Sequence, residues 1–94
     1  MTARAVIVAS GARYRRLPID RLEQFEGNGV YYAATEMERR QCAASPTVVV
    51  GGGNSAGQAA MFLSDTGPVT VVIRGDNLGK SMSRYLTDLS LIHI

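Results

Sequence analysis

Cysteine is the scarcest chemistry in this chain of 94 residues: Cys42 stands alone. A single thiol excludes an internal disulfide and any cysteine-rich zinc site, and it suits a reducing compartment, so a cytoplasmic protein is expected. Long hydrophobic runs are missing as well. Residues 5–9 (AVIVA) are as long as any unbroken apolar stretch, far short of the roughly 20 residues that span a bilayer. The same run is too short for the apolar region of a signal peptide, and Arg13, Arg15 and Arg16 follow it closely. No membrane partner is expected. An excess of one charge sign is also absent. Ten basic residues face eight acidic ones, a net charge of +2, too little for a nucleic-acid surface. The arginines at 13, 15 and 16 sit near Asp20 and Glu23 and read as a solvated loop. There is no internal repeat and no low-complexity segment.

What remains is ordinary globular composition, 46% apolar and 19% charged, in a length suited to one small domain at most. Glycine is the exception. There are ten, four of them between Gly51 and Gly57, where backbone must approach something closely or the chain is unusually loopy. Around that cluster the periodicity is clear. Residues 47–50 (TVVV) predict a buried strand, and Gly51-Gly52-Gly53 follows at once. Asn54 or Ser55 can cap a helix in which Ala56, Ala59, Ala60 and Leu63 form one apolar stripe. Gly67-Pro68 is expected to stop it, and residues 69–73 (VTVVI) predict the next strand. Strand, glycine turn, helix and strand make a βαβ unit, whose crossover is expected to be right-handed. Elsewhere, residues 3–9 (ARAVIVA) predict a buried strand and residues 12–30 a loop. Thr35 and Glu38 stand in capping-box spacing for a short helix ended by Pro46. A further helix is expected from Lys80 to about Leu89, with Met82, Tyr85, Leu86 and Leu89 on one face.

The run Gly51-Gly52-Gly53-Asn54-Ser55-Ala56 has the form G-x-G-x-x-A. The first glycine permits a tight turn out of the strand. The second lets a pyrophosphate come against backbone. The small third residue lets helix and sheet pack closely. The pyrophosphate then meets the free N–H groups and positive dipole end of the helix. Gly51 to Ala56 are therefore the predicted dinucleotide-binding residues. After the second strand an NAD site carries a carboxylate for the ribose 2′-OH. Arg74 stands there instead and can pair with a 2′-phosphate, with Lys80 as a second positive charge. NADPH is preferred on that basis, although Asp76, two residues on, leaves NADH open. The stretch from Gly75 to Ser81 imitates a P-loop but has three residues between its glycines where four are needed.

Four blocks, ARAVIVASGA, GNGVYYAAT, TVVVGGGNSAGQAAMFL and VVIRGD, resemble in order and spacing the middle of thioredoxin reductase-like flavoproteins. These belong to the FAD/NAD(P)-binding pyridine nucleotide-disulfide oxidoreductases. The resemblance runs to about Leu89 and is closest to a dithiol-lacking subgroup, often fused to cyclic nucleotide-binding domains. It implies an α/β, Rossmann-like three-layer dinucleotide-binding fold that is incomplete here. Residues 1–46 would carry the end of the first half of an FAD domain and the crossing between domains. Residues 47–94 would open the inserted NADPH domain. Ser10, Gly11 and Ala12 would lie near the flavin dinucleotide. The implied cofactors are FAD and NADPH, with hydride passed to flavin and then on to an unknown acceptor. The resemblance leaves a homodimeric full-length parent open.

This chain also departs from that pattern. The family's Cys-x-x-Cys would fall on Ala33 and Glu36, and neither can form a thiolate. Cys42 reads as a small packing residue. Of the family's basic cluster for the 2′-phosphate, falling on Ile73, Arg74, Gly75 and Gly79, only Arg74 survives. No side chain is named as acid, base or nucleophile, and His93 near the end is a poor candidate. The expectation is a fragment of a flavoenzyme, poorly soluble or partly folded when isolated. The alternative is a stand-alone Rossmann-like nucleotide-binding or regulatory module without catalysis. A true thioredoxin reductase half with its cysteines elsewhere is a third reading.

Overall fold

β-Branched residues favour extended backbone because their side chains pack on a pleated surface, and the two Val-rich tetrapeptides pair accordingly. The computed structural model describes residues 1–80, 82–84, 87 and 88. In it β1 (Thr47–Val50) lies parallel to β2 (Val69–Val72), in register from Thr47 beside Val69 to Val50 beside Val72. A parallel pair needs a crossover, and α2 (Asn54–Ser64) supplies it, packing on both strands. The resulting α/β arrangement is an incomplete Rossmann-like dinucleotide-binding fold, with two of its three layers among the described residues.

Side chains alternate across a strand. Thr47, Val49, Val69 and Val71 are half-buried, while Val48, Val50 and Val72 remain about half exposed or more. The expected fully buried strands are therefore half-buried ones, because α2 covers a single face. The apolar stripe of α2 centres on Ala60, with Gly57 and Leu63 also buried and Ala56 and Ala59 half-buried.

Two helix boundaries differ from expectation. The N-cap of α2 is Gly53, in extended conformation, and Asn54 is already helical. The extended backbone of the glycine turn ends one residue earlier than the side-chain signal suggested, so the helix starts sooner. At the other end Gly67 is not the left-handed cap. The helix closes at Asp65, and Gly67 passes the preceding chain so closely that a Cβ there would sit 3.0 Å from the Ser45 carbonyl oxygen. Around that crossing the Ala44 N–H donates to Thr66 O at 2.8 Å and the Thr47 N–H to Pro68 O at 2.9 Å.

α1 (Glu36–Gln41) forms where the Thr35–Glu38 spacing placed it. It ends before Pro46, at Cys42, and Ala44 takes a left-handed φ of 62°. The Arg39 guanidinium lies 4.9 Å from the centre of the Phe62 ring, with Glu36 at 3.5 Å and Asp65 at 3.9 Å. That contact ties α1 to α2. Glu38 accepts the Thr35 N–H at 2.8 Å. Hydrogen bonds from the Thr35 hydroxyl and then its backbone hold the Glu38 carboxyl below its usual range. A lowered carboxyl supports the fold above its unfolded value and loses that support as pH falls through the folded one. The amide signals of α1 are thus expected to broaden toward coil as the pH drops into the acid range, and Glu38→Gln should remove that step. An unchanged acid titration in the variant would assign the transition elsewhere.

Packing divides the chain into two units, residues 1–32 and 33–94. The division expected from the resemblance, 1–46 and 47–94, refers to family domains rather than to these packing units. In the first unit residues 3–9 are not a strand. Val6, Ile7 and Val8 are 80%, 92% and 83% exposed. An extended segment becomes a strand only when a neighbour takes its backbone groups, and none does so among the described residues. Residues 12–30 are irregular as expected, apart from a 3-10 turn at Leu22–Gln24 that buries Leu22 and an isolated bridge between Glu26 and Val30. Tyr14 stacks on Tyr32 at 5.7 Å, and Glu26 joins Arg16 at 2.5 Å to the Tyr32 hydroxyl at 3.1 Å. Beyond β2 a 3-10 turn spans Leu78–Lys80, and the Thr87 N–H donates to Ser83 O as in a helical turn. Met82 is buried as expected. Tyr85, Leu86, Leu89 and His93 lie outside the described residues. Among those described, no helix is long and apolar enough to cross a membrane, and no cluster of His, Cys, Asp and Glu could hold a metal ion.

Candidate dinucleotide-binding site

Parallel strands end on the same edge of their sheet, which is where open α/β sheets bind ligands. Here the last paired residues are Val50 and Val72, and the Gly51 N–H continues the ladder to Val72 O at 2.9 Å. Gly51 has φ 140°, a conformation that residues with a side chain rarely adopt. Its position is crowded as well, since a Cβ would meet the Ala56 Cβ at 3.3 Å. The first glycine and the small sixth residue of the motif are therefore two sides of one close approach, which seats α2 against the strand end.

Gly53 differs. A Cβ built there meets nothing within 4 Å, so the space in front of it is open. Asn54 and Ser55 are exposed on the first turn of α2, and the Gly57 N–H makes the bond back to Gly53 O at 3.1 Å. The N–H groups of Asn54, Ser55 and Ala56 precede that bond, at the end of the helix that attracts anions. The open space at Gly53, beside these N–H groups, is compatible with a dinucleotide pyrophosphate.

Arg74 lies just beyond β2 on the same sheet edge and is exposed. The structure thus brings Gly51, Gly52, Gly53, Asn54, Ser55, Ala56 and Arg74 to one edge. Lys80 closes the 3-10 turn that follows, and its side chain falls outside what is described. In the intervening loop the Asn77 side-chain oxygen accepts the Gly79 N–H at 2.9 Å. Ser10, Gly11 and Ala12 belong to the other unit and are exposed, Gly11 with φ 78°. An open hollow between Arg16 and Glu23 in that unit contains none of the predicted residues.

Sequence reasoning missed Gly57. A Cβ there would fall 2.8 Å from the Met82 sulfur. The signal was present, since a glycine inside an otherwise helical pattern often marks a packing constraint. It also missed the bond from the Ser83 N–H to the Asn54 side-chain oxygen, at 2.5 Å, because no local pattern announces a contact so distant in sequence.

The family described as "Pyridine nucleotide-disulphide oxidoreductase" matches residues 1–91. The chain is 39% identical to a thioredoxin reductase of Penicillium chrysogenum over 98% of its own length and 28% of that protein. It is 38% identical to a ferredoxin–NADP reductase of Paramagnetospirillum magneticum, over 78% of its length and 22% of the relative's. A thioredoxin reductase of Bacillus subtilis is 38% identical over 81% of the chain and 24% of the relative. The chain thus spans about a quarter of the length of these curated relatives. No solved structure matches it. A glycine turn between the first strand and the helix of a parallel βαβ unit and a family match over nearly the whole sequence agree, and the chain belongs to the pyridine nucleotide-disulphide oxidoreductase family.

Proposed function

We propose that this chain supplies the opening half of the NADPH-binding domain, residues 47–94, of an FAD-dependent oxidoreductase. Residues 1–46 would bring the adjoining end of its FAD domain. One observation carries the reading: Gly51 is locked by its backbone against Ala56 while Gly53 faces open space at the start of α2. In such a site the nicotinamide and flavin supply the redox chemistry. The chain's own residues hold and orient. Gly53 leaves room for the pyrophosphate, the first turn of α2 donates N–H groups to it, and Arg74 faces the 2′-phosphate. Arginine forks onto phosphate oxygens with two parallel bonds and cannot accept from a ribose hydroxyl, which favours NADPH over NADH.

Relatives named as thioredoxin reductases and as ferredoxin–NADP reductases both match, and Ala33 and Glu36 stand where a Cys-x-x-Cys would fall. An oxidoreductase without that dithiol, in a reducing cytoplasm, is the reading these residues favour. The test is calorimetric titration of the 94-residue chain with NADPH and with NADH. Tighter binding of NADPH is expected. Absence of binding of either nucleotide by chain whose amide spectrum shows the βαβ unit folded would overturn the reading, and equal affinity would remove the 2′-phosphate role of Arg74.

A further inference from the structure

We propose that Gly57, Met82 and Asn54 form a latch that seats residues 74–80 beside the glycine turn, and that this latch sets the preference for the 2′-phosphorylated nucleotide. The inference rests on the nucleotide-binding reading given above. Its substance is two attachments on one face of α2. Met82 is 6% exposed, and its sulfur and terminal methyl occupy the space that a side chain at Gly57 would need, 2.8 and 2.9 Å from such a Cβ. One turn earlier the Asn54 side-chain oxygen accepts the Ser83 N–H at 2.5 Å. Residues three apart on a helix are neighbours, so one apolar plug and one polar bond hold the same short piece of chain.

The other end of that piece is fixed by the pairing of β2, two residues before Arg74. Between the two anchors the chain is shortened by the Asn77–Gly79 bond and the turn at Leu78–Lys80. A loop held at both ends samples fewer conformations than a free one. Arg74 is then presented at the sheet edge before any ligand arrives, so less ordering is needed when it engages a phosphate. The pyrophosphate contacts belong to the backbone of Gly51–Ala56, and the latch reaches that run only through the Asn54 side chain. Releasing the latch should therefore weaken NADPH selectively and spare NADH. Met82 and Gly57 act through the loop and are positioning residues.

Glycine is a poor helix former, and its place inside α2 makes sense if a methyl there would evict Met82. Gly57→Ala supplies that methyl. The methionine side chain is flexible enough to swing away, so the variant should unlatch the loop without unfolding α2. Met82→Ala removes the plug and leaves α2 untouched. Two measurements on the 94-residue chain test the idea. Amide hydrogen exchange without nucleotide is expected to accelerate over residues 75–83 in both variants, with the amides of α2 unchanged. Titration is expected to show NADPH weakened about fivefold, with NADH within about twofold. Unchanged loop exchange in both variants overturns the latch. Faster exchange with an unaltered NADPH-to-NADH ratio overturns its role in specificity. If the folded, unsubstituted chain binds neither nucleotide, the proposed function falls and the specificity role with it, while the exchange data still decide the latch. If Gly57→Ala disturbs α2, Met82→Ala alone carries both measurements.

Discussion

Gly53→Val is expected to abolish dinucleotide binding while the βαβ unit stays folded. The backbone at Gly53 has φ −88° and ψ 179°, extended values that valine adopts without strain. A Cβ there meets no atom within 4 Å, so the protein itself has room for the side chain. The loss of a good helix-capping glycine costs only about 1 kcal/mol. On the proposed reading, the space taken is the space a pyrophosphate would enter to reach the first turn of α2. Excluding it should weaken binding by at least about a hundredfold, which corresponds to ~2.7 kcal/mol. Calorimetry with NADPH reads the loss, and a backbone amide spectrum confirms that the strands persist. Full binding in a folded variant would end the assignment of the glycine turn as the pyrophosphate site. Gly51 could not serve for this test. With φ 140° and Ala56 at 3.3 Å from its Cβ position, any side chain there would damage the turn itself.

The second expectation concerns charge. Arg74→Ala should weaken NADPH by about tenfold to a hundredfold, because hydrogen bonds to charged groups contribute about 1.5–3 kcal/mol each. NADH, which lacks the 2′-phosphate, should change little. Arg74→Lys retains the charge without the planar fork, so a partial loss is expected. Raising the salt concentration should shrink the difference between the two nucleotides, since Arg74 is exposed and its field is screened. Paired titrations at low and high salt measure both effects. Equal weakening of NADPH and NADH would mean that Arg74 supports the fold or the pyrophosphate rather than the 2′-phosphate.

The βαβ unit was legible because its signals are local. Four β-branched or small-flanked residues make each strand, the glycines fall where the strand must turn, and the apolar period of α2 needs no knowledge of distant residues. The capping box of α1 was readable for the same reason, since Thr35 and Glu38 meet within one turn. Residues 3–9 failed because a strand is a relation between segments. Their composition favours extension, but pairing depends on a partner that local pattern does not reveal. The start of α2 was misplaced because Asn54 has a good capping side chain, while the glycine turn imposes the cap at Gly53 and leaves the Asn54 oxygen to Ser83. Gly67 was misread for a related reason. Glycine after a helix usually buys a left-handed turn, but here it allows two backbones to pass. Gly57 and Met82 meet across a long stretch of sequence, and only the odd glycine in the helix hinted at it.

The crossing at Gly67 and Ser45 also makes the two edges of the sheet unequal in what change they admit. At the edge where the strands begin, the Ala44–Thr66 and Thr47–Pro68 bonds and the 3.0 Å approach at Gly67 leave no slack for an inserted or deleted residue. At the edge where the strands end, residues 74–77 are exposed and can lengthen or change without disturbing the strand pairing. A change of length is therefore expected to be tolerated best at the edge that carries the proposed binding residues. A scaffold built this way admits change beside the glycine turn while its frame stays the same.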